Sequence, residues 1–354
     1  MLTSVLASSL LTFELSKSRP PTYPLSDIRH GKTNFATKLP LYIRGGKARK
    51  IQEFFRTFAV TMGNIARTLD EQIALLQSRG MEIPDIEKAK EVLLDVGYYR
   101  LGFYWFPFEK SCPAHQRRNH EFNTGANFDD AVKLYYFDYA LRNILQKYIT
   151  RIEVNFRTYL VYTISNKYNT LPTWFVSSRV VDRDYISSFD TEVYTDKFKR
   201  NKFIAAHHRN HINDRYAPAW KTLEFMTLGS NIALYKSLLD LDDKKSIAEH
   251  FGVTYTNIFE NYLDVVRCVR NTCAHGGLLY DIALYPLIRR GPANVTGNER
   301  KRLYGALKVV GYLLKQVSEN RVSDYEKEVE ELINKYATTP AIKSVLHQSS
   351  GFPI

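Results

Sequence analysis

The sequence predicts a mainly α-helical protein, and three observations point that way. Apolar residues recur at three- and four-residue steps over long stretches, as in Leu134, Phe137, Leu141, Leu145, Tyr148, Ile152 and Phe156, which is the period of one helix face. Capping residues and glycines fall where such stretches should start and stop. No sustained series of alternating apolar and polar residues marks a sheet.

Residues 1–61 hold Ser/Thr/Pro-rich stretches and the basic patch Arg44–Lys50, with little periodicity. The regular pattern begins only after Met62. Residues 1–61 therefore read as an atypical basic extension, translated upstream sequence ahead of a native start at Met62; the alternative is a basic arm that binds nucleic acid. Thr68-Leu69-Asp70-Glu71 places a capping box ahead of Ile73, Leu75 and Leu76, predicting a short helix that stops at Gly80. Pro84-Asp85-Ile86 opens a second helix, which stops at Gly97. The run GYYRLGFYWFPF over 97–108 is dense in aromatics. It suits core packing better than a base-stacking platform. A polar, basic loop or hairpin with Arg117-Arg118 follows to residue 127.

The next block is one long helix from Phe128 to about Lys167, broken at Pro172. Within it Glu153 and Arg157 stand four apart, either as a surface ion pair or as support for a site. Residues 176–215 read as a polar insert containing His207, His208 and His211. His207 and His211 share a helix face, but no glutamate completes a metalloprotease pattern. A core helix interrupted at Gly229 runs from Pro218 to Leu239, and a shorter one from Asp242 to Gly252. A third runs from about Tyr255 to His275. After a basic loop with Arg289-Arg290, helices are expected over 299–319 and 323–336, and a frayed tail over 338–354.

The helix ending at His275 carries the chemistry. It reads VRCVRNTCAHGGLLYD over 266–281, and the paired glycines are a stop signal. His275 falls in its last turn, where the negative end of the helix dipole favours an imidazolium. Asn271, four residues back, shares its face. Arg270 is about 140° round the helix, within reach of the same patch. An arginine, an amide and a titratable histidine suit a phosphodiester: charge clamp, orienting group and proton carrier. The bland alternative is an arginine in a salt bridge and a histidine capping carbonyls.

A net charge of +12 favours a polyanionic partner, nucleic acid before membrane. No apolar run is long enough for a membrane helix. Three cysteines, Cys112, Cys268 and Cys273, give no disulfide framework and suit a reducing, cytoplasmic setting. Cys268, Cys273 and His275 lie close together, yet no further pair completes four ligands, so neither a metal nor a cofactor is expected.

Five ordered stretches resemble one family: LDEQIALLQSRGMEI, GYYRLGFYWFPF, LYYFDYALRNILQKYITRIEVNFRTYL, PAWKTLEFMTLGSNIALYKSLL and LDVVRCVRNTCAHGGLLYD. These are similar, in order and spacing, to the Abi-like proteins, the bacterial abortive-infection family of the AbiD/AbiF kind. That family is in turn similar to the HEPN superfamily, which includes the RNA-cutting effectors of type VI CRISPR systems. The resemblance implies a HEPN-like helical bundle with a small N-terminal helical and aromatic subdomain (62–127). The bundle would span 128–325, with 326–354 as the end of the C-terminal helix and tail. It also implies a homodimer and a metal-independent endoribonuclease that cleaves RNA. Arg270 and His275 fall on the HEPN motif's arginine and histidine, separated by four residues, and Asn271 on its polar position. Glu153 and Arg157 fall on the helix that supports the motif. One departure is clear: Abi-like proteins often continue with a second His and Arg-Leu-Trp-Asn, whereas Gly276-Gly277-Leu278-Leu279 follows here. Two other readings stay open, a non-catalytic RNA-binding or interaction module and a toxin-like component held by a partner.

Overall fold

A computed structural model describes residues 66–113 and 118–354. The 1–61 extension, its basic patch, Met62 and Arg117 lie outside the described residues. Helix α1 (Leu69–Ser78) starts from the expected capping box, with Thr68 Oγ1 accepting from the Glu71 N–H and Glu71 Oε2 accepting from the Thr68 N–H. Helix α2 (Ile86–Val96) is capped by Asp85 and ends at Gly97, whose φ of 90° suits only glycine. The aromatic run forms α3 (Tyr98–Trp105), which buries Leu101, Tyr104 and Trp105 and leaves Tyr99 in solvent. Packing therefore accounts for half of that run. The following loop is a rudimentary hairpin: Lys110 N–H donates to Glu121 O, and Asn123 N–H to Phe108 O.

Helix α4 (Phe128–Lys167) spans 40 residues, about 60 Å at 1.5 Å per residue. Its apolar stripe from Leu134 through Phe156 is buried. The other long helices pack around it. Helix α11 (Thr256–Ala274) lies antiparallel to it: Asp138 bonds to Leu279, just beyond the end of α11, while Phe156 meets Phe259 near its start. Helices α12 (Leu303–Val317) and α13 (Glu319–Tyr336) complete the layer on α4.

Three sequence expectations need correction. The segment 176–215 holds helices α5 (Arg183–Glu192), α6 (Asp196–Lys199) and α7 (Lys202–Asn210). Phe189 of α5, Ile204 of α7 and Tyr194 between α5 and α6 are fully buried, whereas Phe203 of α7 is exposed. The break between α8 (Ala219–Phe225) and α9 (Leu228–Lys236) lies at Thr227, whose Oγ1 caps the Ser230 N–H, and Gly229 sits inside α9. Past α10 (Leu241–His250) and α13, the tail is packed: α14 (Pro340–Val345) and a turn over 346–350 bury Leu346 and Phe352 against the core. The described residues form isolated bridges but no strand. None of their helices is long and apolar enough to cross a membrane.

Candidate functional site

Helix α11 buries Phe259, Tyr262, Leu263, Val266 and Val269, then turns polar at Arg270. That boundary is written in the sequence, because the apolar period ends there. Gly277 N–H donates to Thr272 O at 2.7 Å and Gly276 N–H to Cys273 O at 3.3 Å. These two bonds make a Schellman cap. Gly276 takes φ +64°, and a Cβ on Gly277 would stand 2.8 Å from Thr272 Cγ2. Both glycines are therefore required by geometry. His275 is the C-cap residue itself, one position beyond the last helical turn, and its ring is exposed.

Arg270 is half-buried between α11 and α4. Its Nε stands 3.6 Å from Glu153 Oε2, and its Nη1 donates to Asn271 Oδ1 at 3.3 Å. The Nε is buried and makes no hydrogen bond of its own among the described residues. Arg270, Asn271 and Glu153 are thus brought together, with His275 one turn beyond. Arg157 is not part of that contact. It makes a two-pronged bond to Glu224 on α8, at 3.1 and 3.2 Å. Glu153 and Arg157 therefore serve two different neighbours instead of each other.

The loop after His275 is tied down by residues that the sequence did not single out. Arg100 on α3 donates to Gly276 O at 2.5 Å, and Arg142 on α4 to Gly277 O at 3.1 Å. Asp138, fully buried, accepts from Arg142, from the Tyr104 hydroxyl and from the Leu279 and Tyr280 N–H groups. Burial pushes the Asp138 carboxyl up, opposed by the Leu279 N–H and the Arg142 charge. A signal was present: Asp138 and Arg142 are a polar i,i+4 pair inside an apolar helix, as are Glu153 and Arg157. From the other side, the Ser350 hydroxyl donates to Tyr280 O at 2.6 Å.

Burial pushes Cys273 up to about 12 and raises Cys268 as well. Both are poor thiolates at neutral pH, which argues against nucleophilic roles beside the site. His207 and His211 stack at 4.6 Å, and His207 bonds to Asp214 at 3.0 Å. They border clefts at the insert and are not neighbours of His275 in sequence or in bonding.

No curated protein and no solved structure matches the chain. The family described as Abi-like protein matches residues 91–281, a span that starts in α2, takes in Asp138, Arg142 and Glu153, and closes just after the Schellman cap. That stretch covers more than half of the sequence and contains Arg100, Asp138, Arg142, Glu153, Arg270, Asn271 and His275, so the chain belongs to the Abi-like protein family.

Proposed function

We propose that this protein is a metal-independent endoribonuclease of a bacterial abortive-infection, anti-phage system, acting in the cytoplasm as a homodimer. The observation that supports the reading best is the pairing of Arg270, oriented by Glu153 and Asn271, with an exposed His275 at the rigid end of the same helix. This is the HEPN pattern the sequence suggested, with catalytic roles for Arg270, Asn271 and His275 and supporting roles for Glu153 and Arg157.

RNA brings its own nucleophile, so the protein need only position it, move protons and hold charge. A histidine base takes the 2′-OH proton, the 2′-oxygen bonds to phosphorus, and the P–O5′ bond breaks. A histidine acid then gives the leaving 5′-oxygen its proton. The products are a 2′,3′-cyclic phosphate and a 5′-OH end. Arg270 clamps the phosphate as charge builds on its oxygens, and Asn271 orients the group beside it. One protomer supplies one such histidine. Two copies of His275 facing each other across a two-fold axis supply both base and acid. DNA, lacking the 2′-OH, is not cut.

Labelled RNA incubated in EDTA with purified protein tests this. Wild type should cut and leave cyclic phosphate ends, while His275→Ala and Arg270→Ala should bind RNA with cutting reduced by at least about a hundredfold. Cutting of DNA, or loss of cutting in EDTA, would sink the mechanism. The Glu153 contact also favours a second reading. If that ion pair holds Arg270 away from phosphate, the patch serves a non-catalytic RNA-binding module or a partner-held component. His275→Ala would then leave RNA binding unchanged, with no cutting to lose.

A further inference from the structure

Residues 196–225 carry seven Lys and Arg against three Asp and Glu. This basic stretch, with Pro172 and Thr173, lines an open cleft of about 500 Å³ bordered by His207, Asp214, Trp220 and Lys221. A second cleft of about 370 Å³ shares His207, Trp220 and Lys221 and reaches Phe203 and Glu224. Volumes of this order hold a nucleotide-sized ligand.

The floor is a built polar chain. The His207 side chain is 4% exposed, with Nε2 3.0 Å from Asp214 Oδ2 and Nδ1 3.5 Å from Lys221 Nζ. Burial, then the nearby Lys221 charge, holds His207 below the usual histidine value, which favours the neutral ring. A neutral imidazole donates from one nitrogen and accepts at the other. Asp214 can only accept, so Nε2–H donates to it and Nδ1 faces the Lys221 ammonium. Lys221 is thereby held at the cleft with N–H groups left over for an anion.

Beside that cation stand flat apolar rings. Trp220 is 55% exposed, while the other two tryptophans, Trp105 and Trp174, are 3% and 0% exposed. Phe203, also half in solvent, lies parallel to Phe225 at 5.4 Å, with the Lys202 ammonium 4.9 Å from its ring. Exposed rings set among fixed cations are how single-stranded nucleic acid is held, base on ring and phosphate on ammonium. A purely apolar partner would leave Lys221 and Lys202 desolvated and unpaired.

A chain of contacts links the cleft to the candidate site. Glu224 on its rim holds Arg157, which is one helical turn from Glu153, and Glu153 faces Arg270. We propose that this cleft is a subsite for one nucleotide of single-stranded RNA, with Trp220 stacking the base and Lys221 holding its phosphate, on the strand that continues to Arg270 and His275. The proposal rests on the RNA reading given above, and its test does not depend on cleavage.

Full-length protein carrying His275→Ala, so that the strand stays whole, is titrated with a short 5′-labelled oligoadenylate. Label anisotropy reports binding, and tryptophan emission reports Trp220, because the other two tryptophans are buried. The expected result is a saturable emission change that follows anisotropy. Replacing Trp220 with leucine should remove that change and weaken binding about tenfold, the scale of one lost stack. Lys221→Ala should lower the salt dependence of binding by about one phosphate contact, and Lys221→Arg should restore it. Binding with no emission change, unchanged affinity and salt dependence in Lys221→Ala, or no binding at all would overturn the subsite. Equal saturation by AMP would assign the cleft to a free nucleotide and overturn the strand reading. Cleavage by the His275 protein is scored separately: an emission change without cleavage sinks only the ribonuclease, and cleavage without an emission change sinks only the subsite.

Discussion

At the scale of single residues, Glu153 and Arg270 stand 3.6 Å apart. That is beyond hydrogen-bond range, so the attraction is coulombic and partly solvated. Glu153→Gln keeps the shape and removes the charge. It should lower RNA cleavage about tenfold, as a misplaced clamp does, with the thermal midpoint nearly unchanged. Faster cleavage would mean that Glu153 competes with phosphate for Arg270. Asp138 belongs to a different regime. It is fully buried and accepts bonds from four groups, so Asp138→Ala strands the Arg142 charge and two backbone donors. The expected loss is about 3–5 kcal/mol, read from urea unfolding. A loss under about 1 kcal/mol would show that water replaces the carboxylate.

At the scale of elements, the end of α11 rests on Gly276 and Gly277. Alanine at Gly276 must adopt φ +64°, and alanine at Gly277 must push Thr272 aside. Each should cost about 1 kcal/mol or more, seen as a lower melting midpoint, and Gly277→Ala should cost more because its clash involves backbone. This stop was legible in the sequence, since the φ and the close approach both demand glycine. The caps of α1 and α2 were legible for a similar reason, as their signals are local. The clamps on the loop were not. Arg100 reaches Gly276 across 176 residues and Arg142 reaches Gly277 across 135, and no local pattern encodes such meetings. Arg157 was read with Glu153 because they are neighbours on one helix, yet Glu224, 67 residues away, wins it with a two-pronged bond. Helices α5 to α7 escaped notice because none buries more than two residues, and α6 buries none. Phe189 and Ile204 supply too short an apolar period to stand out.

At the scale of the whole molecule, stability should depend on pH through His207, which is buried, and His250, which is half-buried. Burial holds both His207 and His250 below the usual value near 6.5. His250 stacks on Tyr159 at 3.7 Å and meets Asn155 at 3.0 Å. Below pH 6.5 the unfolded chain takes up protons that the folded one refuses, so their contribution is fully present above 6.5 and is lost as the pH falls from there through their lower folded values. Urea midpoints should drop between pH 7.5 and 5.5, and His250→Gln should flatten the drop; a slope unchanged in that variant would remove His250 from the account. The tail bears on the molecule in another way. Ser350 holds Tyr280, just beyond Gly277, and Phe352 lies against Phe137 and Tyr304. On the ribosome, α11 emerges long before residue 350 does. A chain made only as far as α12 therefore has His275 but not the Ser350 support of the loop behind it, so the loop gains its last tie only after α11 has folded. A chain ended after Val345 should keep its helices by circular dichroism but exchange the Tyr280 amide faster; unchanged protection there would refute this order of assembly.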